Sequence, residues 1–164
     1  MTLAHAPYSR RGLLLLSGGA LATLAGCSVT PRIVPVDGAT DDTRGALPLV
    51  NALRAKHGLP PVAASSPTGR AAAEQAVRMA RANQMSHLIG LGDDFGVRMK
   101  RNGVPLPAAE NIASGQADVT AAVQAWINSP KHLENMLGSY RMMGVAMARS
   151  PSTTRTYWAM VLSA

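Results

Sequence analysis

An α+β domain is what this sequence predicts, and three observations predict it. Segments of helical length carry apolar residues at spacings of three and four through the middle of the chain. Alternation with a period of two appears only near the carboxyl end, and Gly, Pro, Ser and Asp punctuate the boundaries between these segments. The chain has 164 residues and 47% apolar content, enough for one modest core once its amino-terminal part is set aside. No internal repeat or low-complexity run divides it further.

The amino-terminal part reads as a bacterial signal peptide, residues 1–26. Arg10 and Arg11 form a basic region, Gly12 to Leu24 is an apolar stretch too short to span a bilayer as a mature helix, and Leu24-Ala25-Gly26 brings small residues up to Cys27. Cys27 is the only cysteine, so it has no intramolecular disulfide partner. The ending resembles a lipoprotein box, which implies acylation of Cys27 and attachment to a membrane surface through buried methylenes. Ser28 after it gives no retention signal of the aspartate kind, which by resemblance to sorted lipoproteins favours the outer membrane. Ser9-Arg10-Arg11-Gly12-Leu13-Leu14 also resembles a twin-arginine export signal, so Sec and Tat export are both open. Residues 27–41, with Pro31, Pro35 and Gly38, have the composition of an extended tether that packs against nothing.

The folded domain is expected over 42–164. A first helix is expected from Leu47 to His57, with Pro48 in its first turn and Leu49, Val50 and Leu53 on one face; Gly58 and Pro60-Pro61 stop it. Ser66 then Pro67 signals a second helix, whose Ala72, Ala73, Ala76 and Ala80 form a smooth stripe for close packing, with His87 just past its end. A third helix is expected between Asp94 and Asn102, stopped by Gly103, with Phe95 and Met99 one turn apart. Asp118 opens a fourth, on which Val119, Ala122, Val123, Trp126 and Ile127 make the buried face. Ser129-Pro130 begins a short turn ended by Gly138. Met143, Val145 and Met147 then alternate with small residues, Tyr157 to Leu162 reads as a second strand, and Glu110 to Ser114 offers a third.

The formal charge is +7; Arg10 and Arg11 supply two of these, leaving +5 beyond the leader. Arg98, Lys100 and Arg101 are the one tight basic cluster, without the interleaved aromatics that stack bases, which argues against nucleic acid as a partner. A moderately basic exported domain suits anionic lipid headgroups or an acidic cell-wall polymer.

Three separated pieces carry the chemistry: Met85-Ser86-His87, Ala109-Glu110-Asn111-Ile112 and Trp126-Ile127-Asn128-Ser129-Pro130-Lys131-His132. They offer two imidazoles and one carboxylate, the ingredients of a metal site or an acid/base pair. With Leu49-Val50-Asn51, Arg54, Gly58-Leu59-Pro60-Pro61, Gly144-Val145 and Tyr157-Trp158 in order, they resemble the CAP superfamily (cysteine-rich secretory proteins, antigen 5 and pathogenesis-related 1), in its short bacterial SCP-like branch. The resemblance covers about the last three quarters of the chain and implies an α-β-α sandwich with a small antiparallel sheet between helical layers.

That family's pocket carries two histidines and two glutamates, and the matching positions are His87, Glu110 and His132, with Asn111 and Ser129 also in the cleft. Ser129 stands where eukaryotic members have the second glutamate, and Glu134 lies a turn beyond. The trio is thus a candidate site for zinc or another divalent cation with open coordination positions, and equally a hydrogen-bonded network without metal. Loss of the second carboxylate weakens a hydrolase reading. Ser86 and Ser129 lie near histidines but no Gly-x-Ser-x-Gly elbow is present. Asn51 and Arg54 suit the satisfaction of loop and helix-end carbonyls, Asn111 the bracing of Glu110, and His57 a place at a helix end. Met79, Met85, Met99, Met142 and Met143 read as packing rather than copper ligands.

These observations lead to an exported, membrane-anchored CAP-domain protein, a ligand-binding module for a lipid or cell-envelope component rather than an enzyme with established turnover. A divalent-metal-dependent hydrolase that uses Glu110 is the alternative, and a structural envelope protein with a vestigial cleft is the next.

Overall fold

The computed structural model describes Met1 and residues 36–164. The signal peptide, Cys27 and most of the tether lie outside the described residues. Ten elements follow in order: β1 (Ala39–Asp41), α1 (Thr43–Lys56), β2 (Ala63–Ala64), α2 (Ser66–Ala82), α3 (Phe95–Asn102), β3 (Ala108–Ser114), α4 (Val119–Ile127), α5 (Pro130–Met136), β4 (Met142–Arg149) and β5 (Thr156–Ser163).

The sheet runs β1-β4-β5-β3 with antiparallel neighbours, and two-residue β2 joins β4 in parallel. Every residue of β5 is buried, because helices cover both faces of the strand. Its period-two alternation sorts the core. Tyr157, Ala159 and Val161 join the alanine stripe of α2 and Met99 of α3, while Trp158, Met160 and Leu162 pack with residues of α1, α4 and α5. The result is the α-β-α sandwich, with α2 and α3 in one layer and α1, α4 and α5 in the other.

Gly144 sets how closely α2 approaches the sheet. A Cβ there would stand 2.2 Å from the Gly69 nitrogen and 2.4 Å from the Thr68 carbonyl carbon, so backbone meets backbone at this crossing.

Two boundaries differ from expectation. The last residues of the tether, Ala39–Asp41, form an edge strand on β4, with Ala39 opposite Ala148 and Asp41 opposite Ala146. The first helix starts at Thr43, not Leu47, because Thr43 is anchored from afar: its Oγ1 donates to the Val145 carbonyl (3.2 Å) and accepts from the Val145 N–H (2.9 Å). Pro48 is consequently inside the helix. It is tolerated there because Pro48 and Arg44, whose carbonyl loses its helical donor, both face solvent.

The helix-end signals agree with the sequence reading. Asp94 accepts from the Val97 N–H and Asp118 from the Ala121 N–H, at 2.9 and 2.8 Å, and Gly103 closes α3 in the left-handed region. Asn51 pairs with both backbone groups of Val62, and Arg54 donates to the carbonyls of Pro60, Met136, Gly138 and Tyr140, fastening α1 to the loop after it and to the end of α5. Met79, Met99 and Met143 fill the core as expected, whereas Met85 and Met142 are exposed. Met85 sits in the loop after α2, and Met142 at the outer end of β4, where no helix covers it. Among the described residues no helix is long and apolar enough to cross a membrane.

Candidate functional site

β3 carries the centre of the site. Successive residues of a strand face opposite sides, so Glu110 shares the α2/α3 side with Ile112 while Asn111 shares the α4/α5 side with Ala113. Glu110 therefore looks toward the loop that carries His87, and Asn111 toward the helix that carries His132.

His87 meets Glu110 directly, Nδ1 to Oε1 at 2.9 Å. The imidazole stays half exposed, its side chain at 51% of full accessibility, while the Glu110 side chain is at 2%. The His87 segment is held from beneath. Gln75, buried on α2, donates to the carbonyls of Ser86 (2.7 Å) and His87 (3.3 Å), and Arg98 donates to the His87 carbonyl at 3.3 Å.

On its other side Glu110 has a partner that the sequence reading misses. Arg98, wholly buried on α3, donates from Nη2 to both carboxylate oxygens at 2.9 and 2.8 Å. Its Nη1 reaches Asp93 Oδ1 at 3.1 Å. Asp93 in turn accepts from Arg78 (2.7 Å) and from the Ile89 N–H (2.7 Å). Burial pushes the Asp93 carboxyl up, but the Ile89 N–H and the Arg98 and Arg78 guanidiniums outweigh it and hold it below the usual carboxylate range. A chain of alternating charge, Arg78–Asp93–Arg98–Glu110, thus ends on His87.

His132 is placed by its backbone. Asn111 Nδ2 donates to the His132 carbonyl at 2.9 Å, and Asn135 Nδ2 donates to Asn111 Oδ1 at 2.8 Å. Instead of bracing Glu110, as its neighbouring position suggests, Asn111 braces α5, because strand alternation turns it to that side. The His132 ring is half-buried, and burial together with the nearby His87 pushes its pKa below the ordinary imidazole value. Trp126, fully buried, closes the layer by donating from Nε1 to the Ile112 carbonyl at 3.0 Å.

His87 and Glu110 thus meet at β3, while His132 is held there through its carbonyl by Asn111 and lies near enough to His87 to feel its charge. Ser129 is the N-cap residue of α5, and its carbonyl accepts from the Leu133 N–H at 2.8 Å. Glu134 faces solvent, 3.6 Å from Lys131.

As a metal site the trio fits poorly. Both Glu110 oxygens are taken by Arg98, His87 turns Nδ1 toward that same carboxylate, and among the described residues no three His, Cys, Asp or Glu side chains are grouped to hold an ion. A guanidinium already neutralises the one carboxylate that a divalent ion would need. Arg98 does leave a signal in the sequence: it lies three residues after Phe95 and one before Met99, on the apolar side of α3.

The family model described as CAP, the cysteine-rich secretory protein family, matches residues 47–162. The uncharacterized membrane protein YlbC of Bacillus subtilis is 33% identical over 112 residues, which are 67% of this chain and 32% of that protein. The chain therefore spans about a third of that relative's length. An extracellular protein of Bacillus anthracis containing an SCP domain superposes with a TM-score of 0.65 at 27% identity, covering 74% of this chain and 40% of that one. An outer surface protein of Borrelia burgdorferi shares the fold at 20% identity, with a TM-score of 0.64 over 74% of this chain and 90% of that one. The chain belongs to the CAP, or cysteine-rich secretory protein, family.

Proposed function

We propose that this protein is an exported CAP module, anchored to a membrane through Cys27, that binds a cell-envelope component or lipid non-covalently at the cleft built on His87, Glu110 and His132. One observation carries the choice of binding over catalysis: Arg98 satisfies both oxygens of Glu110 from within the core. Both oxygens of that carboxylate already accept from Arg98, and one also meets His87, which leaves it poorly placed to take a substrate proton. What remains open to a ligand is the half-exposed His87 ring, oriented through Nδ1, beside an imidazole biased to be neutral. Such a pair offers hydrogen bonds to hydroxyl, amide or phosphate groups rather than a nucleophile. The extracellular protein and the membrane protein among its relatives support the export and anchoring parts.

Titration of the full chain with muropeptides and, separately, with phospholipid micelles, followed through the imidazole NMR signals, tests the reading. Saturable shifts at His87 and His132 with one of the two, lost in His87→Ala, are expected. Unmoved imidazole signals with both would overturn it, and chelator-sensitive hydrolysis would replace it with the metal-hydrolase reading.

A further inference from the structure

The face of the domain from which residue 36 emerges is cationic, and several of its charges are not used by the fold. Three concavities meet there. The largest, about 520 Å³, contains Val36, Asp37, Arg81 and Leu91; a second of about 180 Å³ shares Arg81 with it and adds Gly38, Arg149 and Pro151; a third of about 440 Å³ shares Arg149 and adds Arg155 and Thr154. They form one continuous surface around the start of β1 and the β4–β5 hairpin.

Arginines line this surface throughout, and they divide into two groups. Arg78, Arg98 and Arg101 are committed to Asp93, Glu110 and Glu74. Arg81, Arg149 and Arg155 are exposed, and among the described residues no carboxylate pairs with them. Asp37 is the single exposed acid on the same face without a structural partner, since Asp94 caps α3. Leu91 is fully exposed beside them, an apolar side chain that nothing in the domain covers.

We propose that this face docks on an anionic lipid surface, with Arg81, Arg149 and Arg155 contacting headgroups and Leu91 entering the interfacial region. The occupant follows from where the chain leads. Val36 lies on this face and stands only nine positions after Cys27, a reach of at most about 30 Å, so an acylated Cys27 would hold this end of the domain against the bilayer. Basic side chains that come within a Debye length, about 8–10 Å, of anionic headgroups are attracted to them, and a tether this short lets the face come that near, while a neutral bilayer gives no such gain. The face thus rests on the anchoring part of the proposed function, and His87 is not among the residues that line it.

The test is vesicle co-sedimentation of the full chain carrying Cys27→Ser, which cannot be acylated, with and without Arg81→Gln, Arg149→Gln and Arg155→Gln. The leader is common to both proteins and cancels in the comparison. Each arginine is expected to contribute roughly fivefold to partition onto phosphatidylglycerol-containing vesicles, so the triple variant should bind roughly a hundredfold more weakly, with no difference on phosphatidylcholine alone. Equal binding of the two proteins to anionic vesicles overturns the proposal, as does equal loss on neutral vesicles. Mass spectrometry of the wild-type chain for acylated Cys27 reports separately on the anchor. Tighter binding to acidic cell-wall polymer than to vesicles would overturn the lipid assignment and give the face to that partner.

Discussion

Arg98 and Glu110 form a two-pronged ion pair inside the domain, 2.9 and 2.8 Å from one guanidinium nitrogen to the two carboxylate oxygens, with both side chains removed from water. The pair ties α3 to β3 and fixes the carboxylate against which the exposed His87 leans. It is the reason the exposed group at this point of the surface is an imidazole rather than an acid.

Breaking that pair on one side leaves a buried charge alone. Arg98→Met is expected to cost about 3–5 kcal/mol in urea unfolding. Adding Glu110→Gln to Arg98→Met should recover much of this, since no charge then remains stranded, and a simple sum of the two single losses would contradict the pairing.

His132 gives the domain a pH dependence of predictable sign. Its folded pKa lies below the unfolded value, so the unfolded chain binds the proton more readily. Stability should therefore fall as pH drops below the ordinary imidazole range, and the slope there should flatten in His132→Gln. Asp93, held low, adds a second loss only in the more acidic window below the ordinary carboxyl value.

Gly144→Ala is expected to destabilise the fold by about 1–3 kcal/mol or more, because the new methyl meets the backbone of Gly69 and Thr68 rather than a movable side chain. Thermal unfolding of the variant measures it. Ala146→Gly, on the same strand, should cost less.

Arg54 is nearly inaccessible and donates to four carbonyls. Arg54→Met should cost about 3 kcal/mol, chiefly through the acceptors it leaves unpaired, and should raise amide exchange in the 136–141 segment.

Much of this architecture is legible from short-range chemistry. Asp94 and Asp118 as caps, Gly103 as a stop and the alternation in β5 each depend on neighbours within a few residues, and each is found as the sequence reads. What the sequence conceals depends on distant partners. The early start of α1 rests on Thr43 meeting Val145, 102 residues away, and β1 reads as tether because its partner strand lies equally far along. The contact of His87 with Glu110 is what the family resemblance implies, but the buried partner of that carboxylate is not. In the sequence Arg98 falls into a basic cluster with Lys100 and Arg101, and an arginine in a short amphipathic helix ordinarily faces water; the acids that draw it inward are nearer, five and twelve residues away, but lie outside the helix that carries it.

If Arg98 supplies the positive charge of this cleft, the imidazoles are left for a non-covalent ligand. Zinc titration calorimetry of the full chain at neutral pH tests this most directly. The same weak heats are expected in wild type and in His132→Ala, with no saturable site assignable to the cleft; stoichiometric zinc binding in wild type that vanishes in His132→Ala would contradict it.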